Sequence, residues 1–160
     1  MIDTHVPHSL TASPFVVCSV GESRLANALR ETREETGYTC LPLPVDLDTR
    51  LCPTEEVAGV FTPDKVRVYE NAIEPFMVSV RDITGQGELK GSQQVKMIWF
   101  FVAQVDETRE VAIVNDSEVS GVATFGYQDA VERCTFEKDR EVLRRAIELM
   151  ERTQSRIGLL

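Results

Sequence analysis

The chain has 160 residues, enough to bury one core, and its 42% hydrophobic and 27% charged content is ordinary for a globular domain. A formal net charge of −9 excludes a general nucleic-acid or membrane binder, because counterion release at phosphates requires a basic footprint. Acidity on this scale is compatible with an anionic ligand only where cations mediate the contact.

The opening MIDTHVPHSL has an acidic residue and no basic leader region, and the apolar run from Phe15 to Val20 is too short for a signal or a membrane span. A cytoplasmic or nuclear protein with one domain over 1–160 is therefore expected. Cys18, Cys40, Cys52 and Cys134 show no CxxC spacing, which argues against zinc and for reduced thiols. Ser23 is suited to a helix N-cap, Arg24 to Thr36 are mostly good helix formers, and Gly37 is suited to the left-handed closing position. Leu25, Ala28, Leu29 and Thr32 recur at helical spacing and form the stripe expected to dock on a core. On an adjacent face Glu31, Glu34 and Glu35 converge, with Arg30 placed to reach Glu34 at i+4.

Tyr38 to Val45 reads as a strand interrupted by Pro42 and Pro44, and Arg50 to Lys65 as a long loop. Glu74 to Ile83 reads as a strand, Thr84 to Gln93 as a turn, and Val95 to Val105 as an apolar central strand that pairs with it. Gly121 to Tyr127 reads as a shorter strand. Phe136 to Thr153 carries Leu143, Ala146, Ile147 and Met150 at helical spacing, an amphipathic closing helix.

Like charges at helical neighbour positions cost about a few tenths of a kcal/mol per pair, so the Glu cluster is either screened by solvent or occupied by a cation. Runs of Glu and Arg are commonly plain solvated faces. Here, however, Glu22 stands eight positions before Arg30, and RETREETGY follows in register. Together Glu22, Arg30, Glu31, Glu34, Glu35 and Gly37 resemble the Nudix box, in which Thr32 and Tyr38 depart from the aliphatic positions and Val16 stands where the family has Gly.

The resemblance implies an α/β/α sandwich with a mixed sheet. Only fifteen residues precede Val16, so a sandwich lacking its first strands is expected, with a truncated or replaced amino-terminal segment. It also implies a metal-dependent hydrolase of a pyrophosphate bond in a nucleoside-diphosphate-linked or polyphosphate substrate. Glu31, Glu34 and Glu35 would be the catalytic metal ligands, Glu22 a further ligand, and Arg30 and Gly37 structural, with Mg2+ or Mn2+ as the hard cation. The segments EPFMVSVRD and VKMIWFF are similar to those of fungal Nudix proteins of the diphosphoinositol and diadenosine polyphosphate hydrolase type.

A small anionic phosphorylated substrate would meet Lys90, Lys96 and Arg67, each of which also suits an ordinary surface position. Trp99 and Tyr69 are candidates for stacking on a base, with core packing the competing reading of Trp99. Asp116 and Glu118 are candidates for a catalytic base beyond the box. The altered segment around Val16 keeps a second reading open, a catalytically weak or inactive module that binds a ligand or partner. An uncovered helix stripe and an unpaired strand edge would also favour a homodimer.

Overall fold

The computed structural model describes residues 8–9, 20–50, 65–82, 95–112 and 122–159. In chain order the elements are β1 (His8–Ser9), α1 (Arg24–Thr36), β2 (Cys40–Pro42), β3 (Val45–Thr49), β4 (Arg67–Ala72), β5 (Met77–Asp82), β6 (Val95–Phe100), β7 (Ala103–Val105), α2 (Tyr127–Arg133) and α3 (Glu137–Arg156). Helices and strands are thus combined as an α/β chain.

Every described pairing is antiparallel, in three small sheets ordered β1-β7-β2, β3-β4 and β5-β6. No parallel pair of the expected mixed sheet occurs among the described residues. The separation of β5-β6 from β1-β7-β2 arises in the apolar stretch from Val95 to Val105, which does not run as one strand. Phe76 N–H donates to the Phe100 carbonyl at 2.9 Å, continuing the β5–β6 ladder, and two residues later the Val102 carbonyl accepts from Leu43 N–H at 3.0 Å beside β2. The stretch changes partner at Phe101 and Val102, and all residues from Phe100 to Ala103 are buried at the crossing.

The strand read over Tyr38 to Val45 is shorter, β2 alone, and a second strand, β3, starts at Val45 and runs on to Thr49; Pro42 and Pro44 lack N–H donors and separate the two. The strand read over Gly121 to Tyr127 is not present among its described residues: Gly126 is the N-cap of α2, which starts at Tyr127. Two strands escaped the sequence reading altogether, the two-residue β1 and the longer β4. β4 pairs with β3, from Val45↔Ala72 to Thr49↔Arg67.

The core forms where α3 crosses these strands. Val142, Ala146, Leu149, Met150 and Thr153 are its buried residues, so the inward stripe is rotated from the one read in sequence, and Leu143 and Ile147 flank it half-buried. Ala146, Leu149 and Met150 pack with Val45 and Val102, while Val142 packs with Ile98 and Phe100. Burial of a side chain such as Leu149 or Phe100 contributes roughly 1.5–3 kcal/mol. No helix among the described residues is long and apolar enough to cross a membrane.

Candidate functional site

The helix α1 is capped as its sequence dictates. Ser23 accepts from Ala26 N–H at 3.1 Å, and Gly37 takes the left-handed conformation at φ 77° while its N–H donates to the Arg33 carbonyl at 2.9 Å. Thr32 is buried as expected, but the other buried position is Asn27, while Leu25, Ala28 and Leu29 are half-buried. Asn27 turns a polar side chain inward and donates to Glu22 at 3.2 Å. Sequence reasoning missed it, although an Asn inside a helix is a poor helix former and so signals a side-chain partner.

Arg30 is the centre of the site. Its Nε and Nη2 donate to the two oxygens of Glu22 at 3.1 and 3.3 Å. Its Nη2 also pairs with Glu31 at 2.8 Å and its Nη1 with Glu34 at 2.7 Å. Three carboxylates thus meet one guanidinium, which Glu22 first, then Glu34 and Glu31, hold above its ordinary pKa. Glu22 and Glu31 have side chains only 17% and 13% exposed, whereas Glu34 is 58% exposed and is the member open to an incoming ligand.

The donor set is chemically suited to a hard divalent cation, because all its members are carboxylate oxygens. Among the described residues, however, no three His, Cys, Asp or Glu side chains are grouped closely enough to hold a metal ion. The guanidinium occupies the position between Glu22, Glu31 and Glu34.

Of the basic residues considered for substrate contact, Lys96 on β6 lies near this face. Burial lowers the pKa of its ammonium and Arg81, its cross-strand partner, lowers it further, while Glu31 and Glu35 act in the opposite sense. Arg67 belongs elsewhere, on β4, where its Nη1 donates to the Lys65 carbonyl at 3.0 Å. Lys90, Val16, Asp116 and Glu118 lie outside the described residues. Trp99 is half-buried, with the Arg24 guanidinium 4.2 Å above its ring, and Tyr69 is exposed on β4. Neither is brought to the Arg30 cluster by any of these contacts.

A second charged cluster was not foreseen. Asp46, 1% exposed, accepts from Arg156 Nε at 2.6 Å and Nη2 at 2.9 Å. Its backbone N–H donates to Thr153 Oγ1 at 2.8 Å. Asp48 accepts from Arg152 at 2.9 and 3.0 Å and from Arg145 at 3.2 Å, and Arg152 also donates to the Asp46 carbonyl. Between Val45 and Leu47 the β3–β4 register shifts, with an extra residue on β4, and there Asn71 adopts φ 55°. This conformation lets Asn71 donate its N–H to Asp46 at 3.2 Å and accept from Arg156 at 3.1 Å. Arg156 and Arg152 hold the carboxyls of Asp46 and Asp48, respectively, below the usual range. Every carboxylate oxygen of both aspartates is used within the cluster, which makes it a clasp between α3 and the β3–β4 sheet.

A cavity of about 770 Å³ lies between α2 and α3, lined by Tyr127, Val131, Arg140, Arg144, Ile147 and Glu151 among others, and none of the Arg30 cluster lines it. In comparisons with family models, curated proteins and solved structures, nothing matches the chain.

Proposed function

We propose that the chain is a metal-dependent hydrolase that cleaves a pyrophosphate bond in a nucleoside-diphosphate-linked or polyphosphate substrate. The observation that carries this reading is the contact of Arg30 with Glu22, just before the helix, and with Glu31 and Glu34 on it, three carboxylates at the spacing of a Nudix box about a helix capped at both ends. Glu31, Glu34 and Glu35 would hold Mg2+ or Mn2+, with Glu22 as a further ligand. Such an ion, when bound, neutralises phosphate oxygens and lowers the pKa of a bound water.

The chain's own residues prepare that chemistry. Arg30 offsets repulsion among carboxylates that must stay ionised, fixes the rotamer of Glu22 by two-point contact, and holds Glu31 by a single ion pair. Lys96 supplies positive charge beside Glu31 and Glu35, where a substrate phosphate would need it. The cap at Gly37 ends the helix at Thr36, with Glu31, Glu34 and Glu35 together on one rigid element.

A second reading, a module that binds a ligand or partner without turnover, is favoured by the guanidinium standing among the carboxylates and by the lack of a metal-holding group among the described residues. The test is release of phosphate and nucleotide from dinucleoside polyphosphates, nucleotide sugars and diphosphoinositol phosphates with Mg2+ or Mn2+, beside Glu34→Gln. Metal-dependent turnover absent in the variant supports the hydrolase. No turnover from folded protein across the panel supports the binding module.

A further inference from the structure

The carboxylates of the box helix already hold a cation, and it belongs to the chain. Arg30 pairs through Nη2 with Glu31 at 2.8 Å and through Nη1 with Glu34 at 2.7 Å, so the two carboxylates are drawn to separate nitrogens of one planar fork. A hard ion such as Mg2+ instead gathers its oxygens at about 2.0–2.1 Å around a single point. The spread imposed by the fork accounts for the lack of a metal-holding group among the described residues, although the residue types suit one.

On the reading of these carboxylates as the metal ligands of a hydrolase, we propose that Arg30 is a competing internal cation, which gives up Glu31 and Glu34 when a divalent ion enters and so keeps the site shut at low ion concentration. Three features favour exchange over a permanent tie. The Arg30 side chain is 35% exposed and has solvent to turn into, and its partner Glu34 is more exposed still, so the pair between them is weak. Asn27 also donates to Glu22, at 3.2 Å, and that carboxylate is therefore not set loose when the guanidinium moves. Finally, one positive charge stands against Glu22, Glu31, Glu34 and Glu35, and a divalent ion answers that excess with twice the charge.

Mn2+ binding to the full chain, followed by electron paramagnetic resonance, separates a competitor from a scaffold. Arg30→Met removes the charge, and should bind Mn2+ about tenfold more tightly than the natural chain, the scale of two partly exposed ion pairs no longer to be broken. Arg30→Lys keeps the charge and should bind close to the natural chain. Combining Arg30→Met with Glu34→Gln should abolish the gain, because Glu34 is one of the carboxylates set free. Cooperative thermal unfolding shows that each variant is folded, and Arg30→Gln reads the same competition should the methionine variant fail to fold. Unchanged or weaker Mn2+ binding once the charge is removed overturns the inference: Arg30 then positions the ligands, and the hydrolase reading stands. No Mn2+ bound by the natural chain or by any variant overturns that reading, and the inference with it.

Discussion

The two arginine clusters of this molecule differ in balance and in exposure, and the difference separates a structural device from a candidate site. On α3, Arg145, Arg152 and Arg156 meet buried Asp46 and exposed Asp48, so both aspartates are fully answered and the cluster has no unmet demand for an ion. On α1, the single Arg30 meets Glu22, Glu31 and Glu34, with Glu35 one position further on the same helix. Negative charge is left in excess there, and Glu34 carries it at the surface. Buried ion pairs of the first kind tie elements together; an open carboxylate excess of the second kind is where an external cation lowers the free energy most.

The largest effect that would sharpen this comparison is on stability. Asp46→Ala leaves Arg156 without its two-point partner and strips the contact that holds Asn71, and should destabilise the fold by about 3 kcal/mol, as for a broken buried pair. Urea unfolding reads this directly; a change under half of that would show that the α3 clasp carries little. Gly37→Ala forces a side chain into φ 77° and should cost about 1 kcal/mol, seen as a lower thermal midpoint with the α1 site otherwise unchanged.

Acid should weaken the clasp. The folded-state pKa values of Asp46 and Asp48 lie below the ordinary 3.8. The unfolded chain therefore takes up protons first, and the stability these groups contribute, fully present above the unfolded value, is lost as pH falls through 3.8 and on through the lower folded values. Unfolding midpoints measured from pH 7 down to 3 should fall steeply for the natural chain and less steeply for Asp46→Asn. Parallel curves would mean that the clasp is not what titrates.

Smaller effects belong to the open cluster. Arg30→Met exposes the glutamates to one another and should lower the thermal midpoint by about 2 °C in low salt, with recovery in millimolar MgCl2. A loss that MgCl2 leaves unchanged would show that the carboxylates have no use for a cation. Glu34→Gln, at an exposed position, should change stability by less than about 0.5 kcal/mol while removing turnover.

What the sequence made legible was local. The helix α1, its Ser23 and Gly37 caps and the Arg30–Glu34 pair all lie within fifteen residues, and the β5–β6 pairing follows from two adjacent apolar runs. The Asp46–Arg156 pair joins positions 110 residues apart and depends on an irregular register beside Asn71, which no periodicity announces. β4 was missed for a related reason: RVYENA is exposed along most of its length, so it carries neither an apolar run nor a clean alternation. The stripe on α1 was misjudged because Asn27, a polar residue, takes an inward position in order to hold Glu22. The site's carboxylates were legible as a motif, but their convergence on one guanidinium required the fold around Glu22.

The most direct test of the central claim is Mn2+ binding followed by electron paramagnetic resonance, comparing the natural chain with Glu31→Gln, Glu34→Gln and Asp48→Asn. The account predicts bound Mn2+ that is lost in both glutamate variants and retained in Asp48→Asn, where the carboxylate is already engaged by Arg145 and Arg152. Absence of bound Mn2+ at millimolar concentrations, or binding indifferent to Glu31 and Glu34, would contradict it.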